Sequence, residues 1–145
     1  GLCVALNSDE SELVNVGNLR AVRLYSTHPW LIGVIRRITR THDDMRKIGI
    51  QMLSSEPILV QLETHEISTA LSYSVEDSRH DQQANSHALI FPNLQDGNVI
   101  IMESARYAHD RQYKMRNQAG LHQIRLESVR DKGDGWLMTT YTQSA

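Results

Sequence analysis

Short runs of apolar residues, separated by polar turns, dominate the pattern along the first half of the chain. Residues 19–25 alternate between two sides at every second position, which is the geometry of a β-strand. None of the runs keeps a helical period over the roughly ten residues that a helix needs. The pattern therefore predicts strands, at residues 2–6, 19–25, 30–39, 47–53 and 58–62.

Two of these predicted strands contain a glycine in their interior, Gly33 and Gly49. A glycine inside a strand indicates a bulge or a sharp bend, as found where a sheet curls into a barrel. The polar residues 41–44 between the two strands read as a hairpin turn. We therefore expect a strongly bent hairpin here.

The second half repeats the same kind of pattern after the strongly polar residues 74–86. About ten short, evenly spaced strands favour a barrel or a sandwich. The predicted fold is all-β, a small β-barrel plus a second small antiparallel β-barrel or sheet. The predicted domains are residues 1–62 and 86–145, joined by a polar linker or irregular segment at 63–85. Strands of the second half are predicted at residues 88–92, 99–102, 107–115, 121–129 and 136–142.

Composition narrows the class of protein. Hydrophobic residues make up 40% of the 145 positions and charged residues 22%, as in ordinary globular domains. The net charge of -2 argues against nucleic acid as a partner, because a general nucleic-acid binder is usually basic. No apolar run approaches the roughly 20 residues that span a bilayer, which argues against a membrane partner. The single cysteine fits a reducing compartment, so we expect a cytoplasmic protein.

Catalytic and metal-binding constellations do not emerge from the sequence. The seven histidines are scattered and have no cysteine partner at zinc spacing. Cys3 has no basic activator beside it in the sequence, and Asp43 with Asp44 fits a turn better than a catalytic pair. We therefore predict no catalytic residue, no metal site and no cofactor, and a protein that is not an enzyme.

A cluster of basic residues on the bent hairpin is the clearest candidate for ligand chemistry. Arg36, Arg37 and Arg40 lie on one arm, and Arg46 and Lys47 open the other. Guanidinium groups offer paired donors to phosphates and stack on flat rings. The alternative is a solvated strand face whose charges protect a sheet edge.

The hairpin sequence WLIGVIRRI at residues 30–38, followed by KIGIQML at 47–53, resembles the PilZ-type β-barrel. The segment VGNLRAV at 16–22 is similar to the lead-in to a strand of that family. The resemblance covers residues 1–62 well and 86–145 loosely. It implies a bacterial signalling domain of a family in which many members bind cyclic di-GMP.

The ligand motifs of that family are incomplete in this chain. They are an R-x-x-x-R element and a [D/N]-x-S-x-x-G element, and Gly1 resembles the last glycine of the second. This resemblance predicts that the rest of both motifs precedes Gly1 in a longer protein. Arg36 and Arg40 do form R-x-x-x-R, but at another place in the domain. The candidate ligand-binding residues are Gly1, Arg36, Arg37 and Arg40.

A small-barrel nucleic-acid binder would use Arg36, Arg37 and Arg40 with Trp30 or Tyr25 as stacking platforms, but the acidic net charge argues against it. Two other functions stay open at this stage. The first is a non-enzymatic bacterial signalling or interaction module that resembles PilZ-type cyclic di-GMP receptors, with cyclic di-GMP as a ligand of the full-length protein. The second is a protein–protein interaction or assembly domain without a nucleotide ligand. For the second, the apolar strands at 58–62 and 99–102 would offer edges to a partner protein or a second copy.

Overall fold

The computed structural model describes residues 1–7, 14–64, 85–92 and 97–144. These residues form an all-β fold, which confirms the predicted class. A single 3₁₀ turn at Ser104–Arg106 is the helical element within the described ranges. The strands are β1 (Leu2–Leu6), β2 (Leu19–Val22), β3 (Leu31–Arg40), β4 (Arg46–Ser55), β5 (Ile58–Thr64), β6 (Asn85–Ile90), β7 (Val99–Glu103), β8 (Gln112–Asn117), β9 (Gly120–Lys132) and β10 (Trp136–Ser144).

The first four strands form an antiparallel sheet in the order β1-β4-β3-β2. Its centre is the predicted hairpin of β3 and β4, closed by a turn in which the Thr41 amide and hydroxyl both donate to the Met45 carbonyl at 2.9 Å. The pairing of β3 with β4 shifts register between Ile32 and Gly33 and again between Ile35 and Arg37. The bend predicted from the glycines therefore takes the form of two irregular pairings.

Gly33 is required by packing and not by its backbone angles. A methyl group at this position would lie 2.4 Å from Cγ2 of Ile50 on the neighbouring strand. Ile50 is buried together with Val14, Ile35 and Ile48 in a small core on one face of the sheet. Because Gly33 has no side chain, Ile50 can pack directly against the backbone of β3.

The other six strands form a closed barrel in the order β10-β7-β6-β5-β8-β9. Burial raises the pKa of the Tyr141 phenol, which stays neutral at physiological pH. Twelve buried side chains fill the barrel interior, namely Val60, Leu62, Ala88, Ile90, Ile100, Met102, Tyr113, Met115, Ile124, Leu126, Leu137 and Tyr141.

β5 belongs to the barrel, since it pairs with β6 on one side and β8 on the other. The predicted first boundary, at residue 62, thus falls within a barrel strand. The division into 1–62, 63–85 and 86–145 stays a prediction, and residues 65–84 of its linker lie outside the described residues.

The sheet packs against the barrel through a shared apolar core. Ile32 and Val34 of β3 contact a group of barrel residues that includes Phe91 and Trp136. The Trp136 indole also donates a hydrogen bond of 2.7 Å to the carbonyl of Gly17, next to β2. These contacts hold the barrel against β3 and the residues beside β2.

Candidate functional site

The register shift in β3 places two consecutive arginines on the same face of the sheet. Ile35 pairs with Ile50 and Arg37 pairs with Gly49, so Arg36 is an extra residue without a partner position. Neighbouring residues of a regular strand point to opposite faces, but a bulge changes this alternation. Both arginines consequently line one cavity.

This cavity, named here the bulge cavity, has a volume of about 460 Å³. Small-molecule sites commonly measure about 300–1,000 Å³, so the volume suits a ligand of modest size. It lies where β1, β3 and β4 run side by side, and its wall combines the arginines with small and apolar residues. It is lined by Gly1, Leu2, Cys3, Arg36, Arg37, Gly49, Ile50 and Gln51.

Gly49 forms an open part of the cavity wall. In the sheet it lies between Cys3 on β1 and Arg37 on β3. A methyl group at Gly49 would be 3.5 Å from Cβ of Arg37, an ordinary contact, so the fold does not demand glycine here. The missing side chain instead leaves space beside Arg37 that a flat ligand group could enter.

Arg36 is held by two neighbours. Its Nε donates to Oε1 of Gln51 at 2.8 Å, across the hairpin. Its terminal nitrogen donates to Oδ2 of Asp131 at 2.5 Å, in an ion pair with barrel strand β9. The side chains of Arg36 and Asp131 are 39% and 26% exposed, so solvent reaches this pair. Arg36 therefore belongs both to the cavity and to the junction with the barrel.

Arg37 contrasts with its neighbour. The part of the chain that the structure describes offers Arg37 no hydrogen-bond or ion-pair partner, and the residue is exposed. Among the described residues, no group occupies its five N–H donors, and these could bind a ligand. It is the cationic side chain of the bulge cavity that a phosphate could bind without displacing a protein group.

The structure brings three of the four candidate residues together and leaves out the fourth. Gly1, Arg36 and Arg37 line the bulge cavity, whereas Arg40 does not. Arg40 sits beside the hairpin turn and pairs with Arg46 at the end of the β3–β4 ladder. The R-x-x-x-R spacing of residues 36 and 40 does not place both side chains in one site.

Sequence reasoning missed Gly49, Gln51 and Asp131 as parts of this region. From the sequence alone, Gly49 indicates only a kink in its strand. The lateral pairing of β1 and β3 with β4 reveals its second role. Asp131 is 95 positions from Arg36, and no local pattern connects the two residues.

The aromatic residues considered as stacking platforms lie elsewhere. Trp30 is 52% exposed, and the Arg23 guanidinium lies 4.9 Å from its ring centroid. Tyr25 is 69% exposed and contacts His28, with ring centroids 5.1 Å apart. Neither Trp30 nor Tyr25 lines the bulge cavity, so neither ring forms part of its wall beside the arginines.

The strand edges proposed for partner pairing are not edges, and this expectation was wrong. Within the barrel, β5 is paired with β6 and β8, and β7 is paired with β6 and β10. Both strands thus use their backbone groups inside a closed barrel, which removes edges. The outer strands of the four-stranded sheet are β1 and β2.

In the part of the chain that the structure describes, no group of three or more His, Cys, Asp or Glu side chains is arranged to hold a metal ion. Within the same ranges, no helix has the length and apolar character required to cross a membrane.

The segment of the chain that forms the cavity matches a known protein family. Residues 1–58 match a family model described as the middle PilZ domain of the cyclic-di-GMP receptor FimW. Comparisons with curated proteins and with solved structures gave no match. The matched segment contains β1 to β4 and all residues of the bulge cavity, and the match confirms the resemblance seen in the sequence. Residues 1–58, which build the sheet and its cavity, are thus similar to the middle PilZ domain of the FimW receptor family.

Proposed function

We propose that this chain is a non-enzymatic module of bacterial signalling in the cytoplasm, and that its bulge cavity binds cyclic di-GMP. The observation that carries the proposal is the convergence of Gly1, Arg36 and Arg37 on one cavity within the segment that matches the FimW domain.

The chemistry of the cavity suits such a ligand. Cyclic di-GMP carries two negative phosphates and two flat guanine rings. The guanidinium of Arg37 can donate paired hydrogen bonds to a phosphate and can stack on a ring. The gap at Gly49 leaves room for a ring beside that arginine. Because the family's two ligand motifs are incomplete, we expect weaker binding than a complete site would give.

Replacing Arg37 by alanine should weaken cyclic di-GMP binding at least tenfold. Hydrogen bonds to charged groups contribute about 1.5–3 kcal/mol, and about 1.4 kcal/mol corresponds to tenfold. Isothermal titration calorimetry on the wild-type chain and the Arg37→Ala variant measures the change. Arg125→Ala provides the matched control, because Arg125 is an exposed arginine on barrel strand β9, away from the cavity.

The outcomes separate the proposal from its alternatives. Loss of binding in Arg37→Ala but not in Arg125→Ala supports the cavity as the site. Equal affinity in all three proteins would place the ligand elsewhere on the chain. A wild-type chain that releases no heat with cyclic di-GMP would contradict the proposal and leave an interaction domain without a nucleotide ligand.

A further inference from the structure

The ion pair between Arg36 and Asp131 joins the candidate ligand cavity to the barrel. Arg36 lines the bulge cavity on β3, and Asp131 lies on β9, at the rim of the barrel. The two side chains are 2.5 Å apart at their closest atoms. An anion that binds in the cavity next to Arg36 therefore lies close to the Asp131 carboxylate, which already forms an ion pair with that arginine.

Two like charges that share one cation repel each other and compete for its donors. Asp131 and Gln51 each occupy one donor nitrogen of Arg36. The guanidinium of Arg36 keeps its proton and its positive charge. A bound phosphate and the Asp131 carboxylate would therefore both interact with this one charge. A bound phosphate thus weakens the hold of Arg36 on Asp131, and the carboxylate weakens the hold on the phosphate.

The position of Asp131 connects this competition to the junction between sheet and barrel. Five residues further along the chain, Trp136 donates its indole hydrogen bond to Gly17 beside the sheet. Asp134 lies between them, and its amide donates to the same carbonyl at 3.2 Å. The end of β9, the turn after it and the first residue of β10 therefore carry the ion pair to β3 and both hydrogen bonds to Gly17.

We propose that Asp131 is a built-in competitor of the anionic cavity ligand, so that ligand binding releases Asp131 from Arg36 and loosens the junction of sheet and barrel. This inference rests on the proposed function, because it takes cyclic di-GMP as the ligand of the bulge cavity. It adds a route by which occupancy of the sheet changes the barrel.

The test compares cyclic di-GMP binding by the wild-type chain and by Asp131→Asn, which keeps the size of the side chain and removes its charge. We expect the variant to bind about two- to fivefold more tightly, the range that exposed charge pairs support. Asp134→Asn is the matched control, because it removes a carboxylate three residues further along the chain. That carboxylate accepts a hydrogen bond of 3.4 Å from Asn18 and does not pair with Arg36. This control should bind like the wild type.

The indole N–H resonance of Trp136 reports the junction independently of affinity. The chain has two tryptophans, and exposed Trp30 serves as an internal reference. Saturating cyclic di-GMP should shift the Trp136 resonance, and Asp131→Asn should shift it part of the way without ligand.

Each outcome decides between the two proposals. Tighter binding by Asp131→Asn, with or without detectable binding by the wild type, supports the competitor role. Equal binding by wild type and variant overturns this inference and leaves the proposed function intact. Tighter binding with an unmoved Trp136 resonance overturns the loosening of the junction. Absence of binding by both proteins overturns the proposed function and this inference with it.

Discussion

Replacing Gly133 by alanine should destabilise the protein by about 3 kcal/mol and break the junction of sheet and barrel. A methyl group at Gly133 would lie 2.3 Å from Nε1 of Trp136 and 2.4 Å from the carbonyl oxygen of Gly17. It would therefore intrude into the hydrogen bond that these two groups form. Overpacking costs about 1–3 kcal/mol, and an unsatisfied buried donor adds about 1–3 kcal/mol.

Urea unfolding followed by circular dichroism measures this loss, and the Trp136 indole resonance shows whether its hydrogen bond is broken. Gly49→Ala is the control, because a methyl group there meets only ordinary contacts. A Gly133→Ala variant within about 0.5 kcal/mol of the wild type, the usual effect of a neutral surface change, would show that the junction is not packed as described.

Replacing Gly33 by alanine should cost about 1–3 kcal/mol, the range for overpacking in a well-packed core. The new methyl group would lie 2.4 Å from Cγ2 of Ile50, and it would also approach the carbonyl oxygen of Gln51 to 3.3 Å. Ile50 is 8% exposed, and its strand β4 lies between β1 and β3. Its branched side chain therefore has little room to move. Denaturant unfolding of Gly33→Ala and Gly49→Ala compares two glycines of the same hairpin.

A double-mutant cycle identifies the contact responsible. If the clash with Ile50 causes the loss, Gly33→Ala should cost about 1 kcal/mol less in an Ile50→Ala background, since residues in direct contact couple by about 0.5–3 kcal/mol. Strictly additive effects would assign the cost of Gly33→Ala to something other than Ile50.

Local features of the fold follow from the sequence because they depend on neighbouring residues. The hairpin of β3 and β4 follows from two apolar runs joined by a polar turn. Two glycines, Gly133 and Gly135, lie in the short connection between β9 and β10, and Gly135 has a φ of 75°. The predicted strand at 19–25 ends earlier, at Val22, and the exposed residues after it form the loop that carries Tyr25.

The arrangement of the barrel could not be predicted in this way. Closure joins β10 to β7 and β5 to β8, and these pairings depend on contacts between distant segments. The sequence predicts that the apolar strands β5 and β7 are sheet edges open to a partner, because it does not show which strands flank them. Once both sides are paired, the same apolar residues fill the barrel interior and its contact with the sheet.

The candidate site illustrates the same limit at the level of side chains. The run Arg36-Arg37 is visible in the sequence, but a regular strand would point these residues to opposite faces. Only the bulge at this position brings both into one cavity, and it leaves Arg40 at the far end of the hairpin. The sequence thus identifies the arginines as candidate ligand-binding residues, whereas the strand register determines that Arg36 and Arg37, and not Arg40, line the same cavity.

Amide chemical shifts recorded during titration with cyclic di-GMP test the central claim most directly. The account predicts that the largest shifts fall on the lining of the bulge cavity, at residues 1–3, 36–37 and 49–51, with a smaller response at Asp131 and Trp136. Largest shifts on the exposed loop around Tyr25 and Trp30, or on the barrel away from Asp131, would contradict it.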